Sequence, residues 1–128
     1  SYGTDAFPGF YLTDSGYAVP WRADTPATVA AVLRARASLG TDPAGVVLAN
    51  PLPPDRQVDP ALHERLLAEG LARVQRDGVT GKDVTPALLA HFHAHSGGET
   101  LRANVELVLA NARLAAEVAV ELAGSDVA

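Results

Sequence analysis

Gly45-Val46-Val47-Leu48-Ala49 is the one strand-like run in a chain otherwise patterned for helices, and it restricts the fold more than any other feature. Its residues are apolar without alternation, as in a strand covered on both faces of an α/β sheet. Asn50-Pro51-Leu52-Pro53-Pro54 must stop it, because proline has no N–H to give to a ladder. A single strand cannot make a sheet, so its neighbours are expected upstream, and the chain is expected to be a segment of a longer α/β protein. The absence of methionine and of a signal-like leader after Ser1 supports the same expectation.

Helices account for most of the remainder. Thr25 offers an N-cap and Pro26 fits the first helical position, with Val29, Val32, Leu33 and Ala37 at helical spacing up to Gly40. Asp59 and Pro60 open a second helix carrying Leu62, Leu66, Leu67, Leu71 and Val74, weakened slightly by Gly70 and ended by Gly78. Thr85 and Pro86 predict a shorter helix through Phe92, stopped by Gly97 and Gly98. Thr100 is the expected cap of the last and longest helix, which runs to about Gly124. There, Leu101, Val105, Val108, Ala112, Ala115, Ala119 and Leu122 form a seam that must be buried against something. Residues 1–24 gather Tyr2, Phe7, Phe10, Tyr11, Tyr17 and Trp21 between glycines and prolines, which predicts short extended pieces broken by turns.

The 128 residues carry 10 basic and 15 acidic side chains, a net charge of −5, and 48% of them are hydrophobic. That balance suits one globular piece and provides no broad positive field, so charge-driven binding to nucleic acid or to anionic membranes is not expected. No apolar run reaches the roughly 20 residues that span a bilayer. With no cysteine, disulfides, thiolate metal sites and cysteine nucleophiles are excluded, which fits a cytoplasmic protein.

Several side chains invite a chemical reading. His91 and His95 share a helix face as metal-binding pairs do, but Phe92 stands where a zinc-protease helix carries glutamate, and solvated histidines at a helix C-terminus are the preferred reading. Gly81-Lys82 lacks the other residues of a phosphate loop. Lys82, the only lysine, is either a solvated turn cation or a contact for an anionic group. Asn50 is either a turn former before proline or a ligand contact at the carboxyl end of a strand. Asn104 and Asn111 lie about two turns apart on the last helix, and as bordering amides they either fix helix packing or face a polar pocket. The residues alone favour packing for both.

The motifs FPGFY, GVVLANPLP, GKDVTPALL and SGGETLRANVELVLANARLAAEVA, in that order, resemble the C-terminal part of the pseudouridine-5'-phosphate glycosidase family, also called indigoidine-synthesis protein A. The resemblance covers nearly the whole chain. It implies an α/β/α sandwich, mostly helical within this segment, with residues 1–128 forming the C-terminal segment of a single glycosidase domain. It further implies a homotrimer and a divalent metal, typically manganese, bound by the upstream portion.

Such enzymes reversibly cleave the carbon-carbon glycosidic bond of pseudouridine 5'-phosphate to uracil and ribose 5-phosphate. A carbon leaving group is poor, and opening the sugar into a lysine imine supplies an electron sink. The family's catalytic lysine, its proton-handling glutamate and its metal-site aspartate belong to motifs this chain does not contain, so Lys82 is not the nucleophile. Asn104 matches the active-site asparagine of the block SLxxNxxLxxxNA, with Thr100 in place of the usual serine, and the resemblance turns its reading from packing to pocket. Asn111 stays with packing. Asn50 and Lys82 fall in family motifs and are substrate-binding candidates. Some relatives join ribose 5-phosphate to an aromatic polyketide, and a noncatalytic assembly module derived from the family is the reading from another class.

Overall fold

The computed structural model describes residues 1–40 and 44–124. Four helices follow the N-terminal segment: α1 (Pro26–Ser38), α2 (Pro60–Arg76), α3 (Val84–His95), entered through a 3₁₀ turn at Gly81–Asp83, and α4 (Glu99–Ala123). α1 packs on α4, α2 on α3, and α3 also touches α4.

The first two helix starts follow the sequence. Thr28 N–H donates to the Thr25 hydroxyl at 3.1 Å and Leu62 N–H to Asp59 Oδ1 at 2.9 Å, each ahead of a proline whose missing N–H costs nothing in the first turn. The other two starts differ from expectation. α3 begins at Val84 behind Asp83, with no side-chain cap, because the 3₁₀ turn leads the backbone directly into it. α4 begins behind Gly98, not Thr100: Gly97 and Gly98 have φ of +61° and +93°, a pair of conformations that side chains rarely tolerate. Thr100 lies inside the first turn, 1% exposed, where its N–H donates to Ser96 Oγ at 3.3 Å and its hydroxyl lies 2.9 Å from the same atom. Ser96 thus supplies the acceptor expected from Thr100.

Residues 1–24 bear out short pieces and turns, with isolated bridges pairing Tyr2 with Ala23 and Ala6 with Ala18. The run Gly45–Ala49 differs: it forms no strand among the described residues. Tyr2 N–H donates to Ala49 O at 2.9 Å, and Val47 is 86% exposed. A ladder needs partners, and among the described residues no β-bridge reaches this run.

Two apolar clusters sit along α4. Tyr11, Leu52, Val58, Leu66, Phe92 and Ala103 form one, and Val29, Leu114 and Val118, with Leu33, Leu48 and Leu122 against them, form the other. The buried residues of α4 are therefore Thr100, Ala103, Leu114 and Val118. The expected seam lies elsewhere: of its members only Leu122 is packed, while Leu101, Val105, Val108, Ala112, Ala115 and Ala119 are exposed. At 100° per residue the two stripes lie about 125° apart, so α4 is apolar on two separate faces, and only one of them is packed among the described residues. No helix of the described residues is long and apolar enough to cross a membrane.

Candidate functional site

The motifs at either end of the chain meet in the first cluster. Val58 N–H donates to Tyr11 O at 3.0 Å, the Thr13 hydroxyl to Leu52 O at 2.9 Å, and Thr13 N–H to Gln57 Oε1 at 2.9 Å, so the FPGFY segment clasps the prolyl loop. The Tyr11 ring lies 5.5 Å from that of Phe92 between centroids. Burial pushes the Tyr11 phenol up from its ordinary value, and a hydrogen bond with Thr100 partly offsets that shift. From the other side Arg56, within the loop, lies 3.5 Å from Glu106 of α4. The loop after Ala49 is thereby held between the N-terminal segment and α4.

Asn50 begins that loop, half-buried, and its Nδ2 donates to Asn111 Oδ1 on α4 at 3.1 Å, across 61 residues of sequence. Asn104 is two turns back along the same edge of α4, about 10 Å away along the axis. Its side chain is exposed and makes no hydrogen bond among the described residues. It therefore stands between the packed face, with Ala103, and the open apolar face, with Leu101, Val105 and Val108. Asn111 is not a packing residue in this structure: it is exposed, outside both clusters, and bonded to Asn50.

Lys82 lies exposed in the 3₁₀ turn, without an ion pair among the described residues, and no hydrogen bond joins it to either asparagine. A groove of about 520 Å³ runs between Trp21, the Val29 and Val32 side of α1, and Val46 and Leu48. It flanks the residues expected to be a strand and is mostly apolar, and none of the three candidate residues lines it.

The histidines need one correction. His93 and His95 are exposed, but His91 is buried, because Gly70 on α2 leaves room for its ring. Neither ring nitrogen of His91 has a hydrogen-bond partner, and Nε2 lies 3.5 Å from Glu69 Oε2, an ion-pair distance without hydrogen-bond geometry. The His95 ring stacks on it at 4.3 Å between centroids, with Nδ1 2.8 Å from His91 O. Among the described residues no group of three or more His, Asp or Glu side chains is placed to hold a metal ion.

A family model described as indigoidine synthase A like protein matches residues 1–121. The chain belongs to this family. As a member of the indigoidine synthase A-like family it is 56% identical over 119 residues to a pseudouridine-5'-phosphate glycosidase of Salinispora tropica, covering 93% of this chain and 37% of that protein. To the enzyme of that name from Frankia alni it is 44% identical over 125 residues, covering 98% and 34%. The chain thus spans little more than a third of these relatives' length, and it corresponds to a C-terminal portion of them. Among solved structures, the prealnumycin C-glycosynthase AlnA in complex with ribulose 5-phosphate superposes with a TM-score of 0.84 at 30% identity, over 98% of this chain and 41% of that one. The fold is accordingly the mostly helical C-terminal part of an α/β protein, which accounts for a strand-like run without its sheet.

Proposed function

We propose that this chain is the C-terminal part of a pseudouridine-5'-phosphate glycosidase, an enzyme that reversibly cleaves a carbon-carbon glycosidic bond to give uracil and ribose 5-phosphate. The observation that carries the reading is the match to enzymes of that name over more than nine-tenths of the chain. The unpartnered face of α4, with Asn104 at its border, supports it as the boundary where the rest of the domain would close. Asn104 would orient the sugar or the uracil with a neutral carboxamide, adding no charge beside a phosphorylated substrate. Asn50 and Lys82 would make substrate contacts, Lys82 as a cation for an anionic group. The lysine that forms an imine with the opened sugar, and the glutamate that moves protons, would come from outside this chain.

The family's divalent metal, typically manganese, does not fit the residues described here, which assemble no donor set. It would be bound by the upstream portion. The proposed assembly is a homotrimer, and the proposed setting is the cytoplasm, supported by the cysteine-free sequence.

A second reading is favoured by the structural likeness to the C-glycosynthase: ribose 5-phosphate joined to an aromatic polyketide by the same imine chemistry in the bond-forming direction. Incubating the protein that contains this chain and its upstream portion with pseudouridine 5'-phosphate and manganese separates the two. Release of uracil is expected. No release under those conditions overturns the glycosidase reading and leaves the polyketide acceptor. An intact mass of 13.3 kDa with no companion chain would instead favour a noncatalytic module.

A further inference from the structure

We propose that Asn111 is a positioning residue that holds the Asn50 carboxamide in place for substrate, an inference that rests on the glycosidase reading. The bond from Asn50 Nδ2 to Asn111 Oδ1 is a side-chain hydrogen bond that ties the end of the strand-like run to α4, beside the apolar packing of Leu48. It leaves Asn50 Oδ1 without a partner as an acceptor, and Asn111 Nδ2 without one as a donor. Both free groups lie on the edge of α4 that carries Asn104 two turns away. A sugar hydroxyl or a pyrimidine N–H is the kind of donor that Asn50 Oδ1 can accept from, and neither adds charge.

Packing does not explain the pair. Asn111 is exposed, whereas the buried contacts of α4 on either side of it are made by Ala103, Leu114 and Val118. The backbone around Asn50 is held by Tyr2 at Ala49, by Thr13 at Leu52 and by the packing of Leu48, but the Asn50 side chain has no hydrogen-bond partner other than Asn111 among the described residues. A helix of 25 residues is a rigid support for that anchor. An amide swinging free would spend most of its time out of register with the substrate.

The test uses the protein with its upstream portion present and follows uracil release from pseudouridine 5'-phosphate. Asn111→Leu keeps the size and removes the acceptor, and kcat/KM is expected to fall about ten- to hundredfold. The melting temperature should stay within about 2 °C, since an exposed amide pair contributes little to stability. Asn111→Asp keeps the Oδ1 acceptor and is expected to recover activity to within about threefold. Asn50→Leu combined with Asn111→Leu should be no slower than Asn50→Leu alone, as two residues acting through one bond are not additive. Wild-type turnover in Asn111→Leu, failure of Asn111→Asp to recover activity, or full additivity in the double variant each overturns the positioning role. Absence of uracil release from the unsubstituted protein overturns the glycosidase reading, and this inference with it.

Discussion

Gly70 on α2 packs tightly against the His91 ring on α3: a Cβ added there would lie 3.2 Å from His91 Cδ2 and 2.9 Å from Leu88 Cδ2, so both side chains would have to shift. Alanine in mid-helix gains about 1 kcal/mol over glycine, whereas forcing a methyl into a filled contact costs about 1–3 kcal/mol. Gly70→Ala is therefore expected to lose about 1 kcal/mol in a denaturant titration. A more stable variant would mean that α2 and α3 separate at little cost and that His91 is not held tightly.

His63, partly buried with its ring 5.1 Å from that of Phe92, is held below the ordinary histidine value by desolvation. The unfolded chain then takes up its proton first as pH falls. Stability is full above about 6.5, the unfolded value, and is lost as pH falls through the lower folded one. Melting temperatures measured from pH 8 to pH 5 should fall less in His63→Leu than in the unsubstituted protein. Parallel profiles would show that the ring is solvated.

What was legible in the sequence was local. Thr25-Pro26 and Asp59-Pro60 start their helices as read because a cap and a first-turn proline act within three residues. Thr85 and Thr100 fail as caps because the 3₁₀ turn and Ser96 do that work from preceding positions. α4 carries two apolar stripes, and periodicity cannot tell which one this chain covers. His91 is buried by a glycine 21 residues earlier, and Asn50 bonds an amide 61 residues later; neither relation leaves a local trace. The strand-like run was read from composition, but a strand is completed by its neighbours. Asn104 stands out in the sequence as an amide bordering the seam, the family motif turns it toward a pocket, and its exposure is the structure's addition.

The hydroxyl of Thr100 lies 2.9 Å from Ser96 Oγ and lowers the raised Tyr11 phenol value, and its methyl is buried with it. Thr100→Ser keeps the hydroxyl and should cost about 0.8 kcal/mol for one buried methyl. Thr100→Val keeps the shape but removes the hydrogen-bonding group, which should cost about 1–3 kcal/mol and raise the Tyr11 phenol further. Denaturant unfolding and an ultraviolet titration of the tyrosines check both. A Thr100→Val variant as stable as Thr100→Ser would show that the polar link contributes nothing.

Val108 is 60% exposed in this chain, yet it lies on the stripe that should be covered once the rest of the domain is present. On a truly exposed site Val108→Asp would change stability by no more than about 0.5 kcal/mol. With the upstream portion present it is expected to cost at least about 3 kcal/mol, because an unpaired carboxylate would be buried. An unchanged melting temperature for that assembled variant would leave the second face of α4 as ordinary surface.

Steady-state uracil release by Asn104→Ala, assayed with the upstream portion and manganese present, is the most direct test of an α4 carboxamide lining the sugar cavity. Losing a hydrogen bond made in the transition state costs about 1.4 kcal/mol or more, so kcat/KM should drop at least about tenfold. The melting temperature should hold, since the Asn104 side chain is exposed and makes no hydrogen bond among the described residues. Turnover equal to that of the unsubstituted protein would contradict the placement and remove Asn104 from the site.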